Sequence, residues 1–178
     1  MTDDFEDFFE NSIACHVCGS SKVVPPVGNK NSPILIVGDF PVDEDVTTGV
    51  PMTGPMGRVL RQELGHLGID VKQLRRMNLW KHPVNKNPAC FKLGTEEVLR
   101  EAKDRKIILL LGSDVVKLFI GKSVMDLNGL IVESSLYFSC PVFCCINPAI
   151  CIKEVRGLVK LDLLLLSLQS MYRKIIYD

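Results

Sequence analysis

Lys106 to Leu111 reads KIILLL, an apolar run of strand length with no polar alternation. A strand that faces solvent on one side alternates apolar and polar residues, so an unbroken run marks a strand covered on both faces. That is the condition of a parallel sheet between helix layers. Ile34 to Val37 (ILIV) repeats the pattern. Each run ends on a glycine, Gly112 or Gly38, and a helical pattern follows. One helix puts Val115, Val116, Phe119 and Ile120 on one side, with Ser113 as its expected cap; the other aligns Leu60, Leu64 and Leu67. Arg75 to Trp80 supplies a further strand, and residues 129 to 146 hold two short ones. A helix is expected from Thr95, with Glu96 and Glu97 in its first turn, and a long final one from about Lys153 to Tyr177. In that last helix Leu158, Leu161, Leu165 and Leu168 recur at helical spacing and belong to the core. The expected fold is one domain over residues 1–178, a three-layer α/β/α sandwich around a mostly parallel four-stranded sheet.

Such a fold presents reactive groups at the carboxyl edge of its sheet. The stretch between Gly38 and Gly57 falls there. It is rich in glycine, proline and acids, and a long loop without secondary structure of its own is usually functional. Upstream, Cys15-His16-Val17-Cys18-Gly19 forms a C-x-x-C knuckle whose thiolates can grip one metal or one cluster. Seven cysteines without a secretion signal read as reduced thiols or ligands rather than a disulfide framework. Cys140, Cys144, Cys145 and Cys151 read as core thiols, because neighbours in a strand point to opposite faces. Formal net charge is zero, so any nucleic-acid contact must come from a local basic patch. No run approaches the ~20 apolar residues of a membrane span, and a cytoplasmic setting is expected. Residues 2 to 10 (TDDFEDFFE) are an acidic-aromatic segment, either a short helix covering the domain or a contact for a replication or repair protein.

Five landmarks together carry a resemblance. They are the C-x-x-C at Cys15, G-D-x-P at Gly38 with G-x-P-x-x-G at Gly49, N-x-x-K at Asn78, L-G-S at Leu111 and N-P-x at Asn147. In this order they resemble family 4 uracil-DNA glycosylases, and they span residues 15 to 150. The resemblance implies base excision: extrusion of a uracil nucleotide from single- or double-stranded DNA and hydrolysis of its glycosidic bond. It further implies a [4Fe–4S] cluster on Cys15, Cys18, His82 and Cys90, with His82 standing where the family has a cysteine; Cys₃His is equally an ordinary zinc combination.

By the same resemblance Asn78 reads the base, accepting from N3–H and donating to O4. Met52 takes the place of a stacking phenylalanine, and Phe40 and Val42 add bulk at the pocket lip. Asp39 and Asp45 orient water and oppose charge on the sugar, Asp39 replacing a glutamate, and Asn147 replaces a histidine that stabilises the uracil anion. Arg58, Lys81 and Lys86 are expected to hold phosphates, and Pro148 and Ile150 to wedge into a groove. The substitutions suit a viral or phage chain, for which the host cytoplasm would be the setting. They also open an alternative function: a glycosylase-fold protein without excision, serving as a DNA-binding or replication-accessory subunit.

Overall fold

The structure, a computed structural model, describes residues 14–84, 87–151 and 153–177. The acidic-aromatic segment at 2–10 and Lys86 lie outside those residues. The ILIV run forms strand β1, Ile34–Gly38, and every residue of it is buried. Helices α1 (Asp43–Thr48) and α2 (Pro55–His66) follow, and a 3₁₀ turn over Val71–Gln73 leads into β2, Arg75–Asn78. Then come α3 (Pro88–Ala102), β3 (Ile107–Leu111), α4 (Ser113–Ile120) and α5 (Val124–Leu127). The chain closes with β4 (Leu130–Val132), β5 (Val142–Cys145), α6 (Pro148–Cys151) and α7 (Val155–Tyr177).

The sheet runs in the order β2-β1-β3-β5-β4. The first four strands are mutually parallel, which is the expected four-stranded core of the fold. The short β4 extends it to five strands by pairing antiparallel with β5 at one edge. Alternate residues of each strand feed opposite layers, as the pleat demands. Leu35, Val37, Ile108, Leu110, Val142 and Cys144 pack with Val98 of α3 and with Val115, Val116 and Phe119 of α4. Ile34, Ile36, Leu109, Leu111, Phe143 and Cys145 pack with Leu60 and Leu64 of α2 and with Leu161, Leu164, Leu165 and Leu168 of α7. Both sheet faces are thus covered, which is why the central strands carry no polar alternation.

Several boundaries differ from the sequence expectation. The stretch after β1 is not structureless: α1 lies within it. Helix α3 begins at Pro88 rather than Thr95, because the Asn87 side chain accepts from the Ala89 N–H and Pro88 suits the first helical position. Ser113 is the first residue of α4 rather than its cap, and the capping is done from another element. No helix among the described residues is long and apolar enough to cross a membrane.

Candidate functional site

Strand register builds the site. Gly38 ends β1 and pairs with Asn78 on β2 and with Leu111 on β3, and Leu111 in turn pairs with Cys145 on β5. The residues leaving this row, Asp39, Gly112 and Asn147, therefore emerge side by side. The chain moves from β1 to β2 on one side and then to β3 on the other, so β1 and β3 flank a topological switch point. Crevices for ligands open there. A cavity of about 160 Å³ occupies the position, lined by Asp39, Phe40, Val42, Met52, Met56 and Asn147 among others.

Asn78 belongs to the same row, paired with Gly38, and is not itself among the residues that line the cavity. It is 2% exposed, and among the described residues neither its Oδ1 nor its Nδ2 has a hydrogen-bond partner. An unpartnered buried amide costs about 1–3 kcal/mol, so its retention needs a reason. Only a glycine fits beside it: a Cβ on Gly38 would stand 2.6 Å from Asn78 Oδ1, 3.1 Å from Met56 Cε and 3.4 Å from Met52 Cε. The two thioether methyls and the amide thus converge on one backbone position. Met52 is buried, with φ at 63°, a left-handed conformation that a side chain adopts at a cost. Arg61 Nη1 donates to the Met52 carbonyl at 2.9 Å, which helps to fix that turn.

The two predicted acids are tied differently. Asp39 reaches across to α4, where its Oδ2 accepts from Ser113 N–H at 2.8 Å and its Oδ1 from Val115 N–H at 2.9 Å. It is the cap that Ser113 is not. Gly112, at φ 137°, leaves the room, since any Cβ there would collide with the Asp39 carboxylate. Burial pushes the Asp39 carboxyl up to about 6, against the lowering effect of those amides and with added repulsion from Asp114. Asp45 is 2% exposed and fully engaged: its oxygens accept from the N–H groups of Val42, Thr53 and Gly54 and from the Thr53 hydroxyl. It clamps the loop that carries Met52.

Asn147 Oδ1 accepts from Ala149 N–H at 2.9 Å and caps α6, and no hydrogen bond from its Nδ2 is found among the described residues. Phe40 is 46% exposed at the mouth, and Val42 beside it is 36% exposed. From the mouth a wider groove of about 820 Å³ continues between α4 and the start of α7, bordered by Lys117, Arg156, Lys160 and Ile150. Those three cations were not singled out in the sequence. Arg156 and Lys160 lie one helical turn apart in a segment read for its leucines, and that spacing was the available signal. The expected phosphate contacts divide. Arg58 is exposed on α2, but Lys81 forms an ion pair with Glu97 at 3.0 Å and lines a separate cleft with Cys15 and His16. Of the expected wedge, Ile150 is 53% exposed, whereas Pro148 is buried as the first residue of α6 and cannot enter a groove.

A second cluster lies beyond β2. The ligating atoms of Cys15, Cys18, His82 and Cys90 all fall within 4.8 Å of one another, drawn from the knuckle, the loop after β2 and the first turn of α3. Cys15 Sγ is 4.0 Å from Cys90 Sγ, and Cys18 Sγ is 3.4 Å from His82 Nε2. His82 Nδ1 is 2.9 Å from the Pro83 carbonyl; donation there leaves Nε2 as the lone-pair atom facing the thiols. Burial opposes ionisation of Cys15, but hydrogen bonds from the Cys18 and Val17 backbone, the Cys18 side chain and His82 bring its thiol down to about 7. The donor set suits a metal centre. The remaining thiols behave as core: Cys144 and Cys145 point into opposite layers, and burial raises the Cys144 thiol to about 11.

The sequence model of the uracil DNA glycosylase superfamily matches residues 25–156. Among characterised proteins the chain is similar to the type-4 uracil-DNA glycosylase of Archaeoglobus fulgidus, at 27% identity over 92 residues. That match covers 48% of this chain and 46% of the relative, so about half of each protein is compared.

Proposed function

This chain belongs to the uracil DNA glycosylase superfamily, and from that premise we propose that it excises uracil from DNA by hydrolysing the glycosidic bond of a flipped-out nucleotide. The observation that carries the reading is the unpartnered Asn78 amide, which meets, at Gly38, the methyls of Met52 and Met56 that line the cavity. Uracil offers N3–H to Oδ1 and O4 to Nδ2, and both buried atoms gain a partner at once. Cytosine presents the reverse pattern and would leave both unpaired, which is the stronger kind of discrimination. To reach the amide the ring displaces the Met52 and Met56 methyls, which flexible thioethers permit, and these then pack on its faces.

Bond cleavage separates charge, leaving an oxocarbenium sugar and a uracil anion. Asn147 Nδ2 donates to the anion as it forms; Asp39, ionised at neutral pH, opposes the positive sugar and orients the attacking water. Asp45 acts as a positioning residue through the Met52 loop. Arg58, Lys117, Arg156 and Lys160 hold phosphates, and Ile150 fills the gap in the stack. The family resemblance implies a [4Fe–4S] group on the Cys₃His donors. Any metal there acts structurally, and no step of hydrolysis runs through it.

A second reading has one observation in its favour. The Met52 and Met56 methyls already stand where the base must enter, as in a DNA-binding subunit that no longer excises. Incubation with single- and double-stranded oligonucleotides bearing one uracil, followed by alkali, separates the two. Scission at the uracil is expected. Tight binding without abasic sites would move the assignment to the accessory subunit, and neither binding nor scission would overturn both.

A further inference from the structure

The geometry points to a single tetrahedral ion, zinc, on Cys15, Cys18, His82 and Cys90, in place of a [4Fe–4S] cluster. Around one zinc ion, bonds of ~2.3 Å to sulfur and ~2.0 Å to nitrogen set tetrahedral edges of ~3.8 Å between sulfurs and ~3.5 Å between sulfur and nitrogen. The observed edges are 4.0 Å for Cys15–Cys90 and 3.4 Å for Cys18–His82. No ligating pair exceeds 4.8 Å. In a cubane each ligand binds a different iron and points outward from its corner. Two ligand atoms are then separated by an iron–iron edge plus the splay of two bonds, which this set cannot span without opening.

The supporting structure is tight as well. Cys15 N–H donates to Ser20 O at 2.7 Å and Gly19 N–H to Cys15 O at 2.7 Å, closing the knuckle upon itself. Val24 N–H donates to Lys81 O at 2.7 Å, which fastens the segment leaving the knuckle to the residue before His82. Trp80 and Phe91 pack with ring centroids 5.3 Å apart and hold the start of α3 over the same loop. Cys15, His82 and Cys90 are 5%, 2% and 3% exposed, and Cys18 is the one ligand at the surface. Four protein donors leave no open position, as in a structural site. The three cysteines bind as thiolates, and donation from His82 Nδ1 to the Pro83 carbonyl leaves the Nε2 lone pair for the ion. The ion would pin the chain ahead of β1 to the loop that follows Asn78.

This inference rests on the donor set and not on the excision reading, so the two fail separately. The full chain is purified without oxygen from cells supplied with both iron and zinc, then assayed for metals, acid-labile sulfide and visible absorbance. One zinc per chain, no labile sulfide and a colourless solution are expected. Cobalt exchanged into the site should show the intense bands of a tetrahedral thiolate ion, lost in His82→Ala. A brown protein with iron and sulfide in equal amounts would overturn the inference, as would one iron or no bound metal. Because the wild-type metal content decides, the outcome stands even if His82→Ala does not fold.

Discussion

Strand β2 is only four residues long, yet its two ends are treated in opposite ways. At its start Arg75 is 7% exposed and fully paired: Nε and Nη2 donate to Glu101 at 2.9 and 2.7 Å, and Nη1 to Gly28 O at 3.3 Å. Arg105 joins the same carboxylate at 3.2 Å and also donates to the Ser32 carbonyl. At its end Asn78 is 2% exposed, and among the described residues nothing is bonded to either polar atom. The first residue satisfies its polar groups and holds the fold, although Arg76 Nε next to it is also buried without a partner among the described residues. At the last residue both polar atoms of the amide are left unpaired. Stability at one edge of a parallel sheet and unmet hydrogen bonds at the other is the division expected where function sits at the carboxyl edge.

The largest effect should come from erasing the unsatisfied end. Asn78→Ala is expected to lower kcat/KM for uracil excision by ~10²–10³, the scale of one preorganised donor. Its Tm should stay within about 4 °C of the wild type, because no native hydrogen bond is lost. The satisfied end should respond in reverse. Glu101→Gln leaves the Arg75 charge uncompensated and should cost about 2 kcal/mol of stability, discounted for partial exposure of the carboxylate, with excision kinetics unchanged.

Acid sharpens the same contrast. Burial would raise the Glu101 carboxyl, but Arg75 and Arg105 hold it below its ordinary value. The unfolded chain therefore takes this proton first as pH falls. The stabilisation is complete above the ordinary glutamate range and is lost as pH drops through the lower folded value. Asp39 has the opposite sign. Its carboxyl is raised to about 6, so between its ordinary value and about 6 the folded state keeps the proton, and this group's contribution to stability falls as pH rises. Excision needs the ionised form, so its rate should climb to a plateau above about pH 6, a limb that Asp39→Asn removes. Thermal melts and single-turnover rates across pH check both. The smallest effect expected is a gain: Asn147→His restores a stronger donor to the leaving base and should raise the excision rate about three- to tenfold.

The frame of the molecule was legible in the sequence because ILIV and KIILLL admit one environment, burial on both faces. Their terminal glycines then set the register row from which Asp39, Gly112 and Asn147 emerge. The Cys₃His set was legible through the family resemblance, which implies those four ligands, and their donor atoms meet within 4.8 Å. What stayed hidden was tertiary. Helix α1 is too short to show a helical period, and its start is held by Asp45 accepting from Val42 N–H. Helix α3 starts at the Asn87 cap and Pro88, ahead of the acids near Thr95 from which its start was read. Nothing local shows that Asp39 caps a helix from another strand, that Lys81 is taken by Glu97, or that Pro148 faces inward. Charge and a place beside the expected pocket marked Lys81 for DNA, whereas the cations that border the groove sit on helices read for their apolar faces.

The central claim is that the Asn78 amide reads the base. Its most direct test is the ratio of single-turnover release rates for uracil and cytosine from matched oligonucleotides, measured side by side for the wild type and Asn78→Ala. The wild type should release uracil and no measurable cytosine, and the variant should lose uracil release while keeping its fold. Uracil release at the wild-type rate from Asn78→Ala would contradict the account.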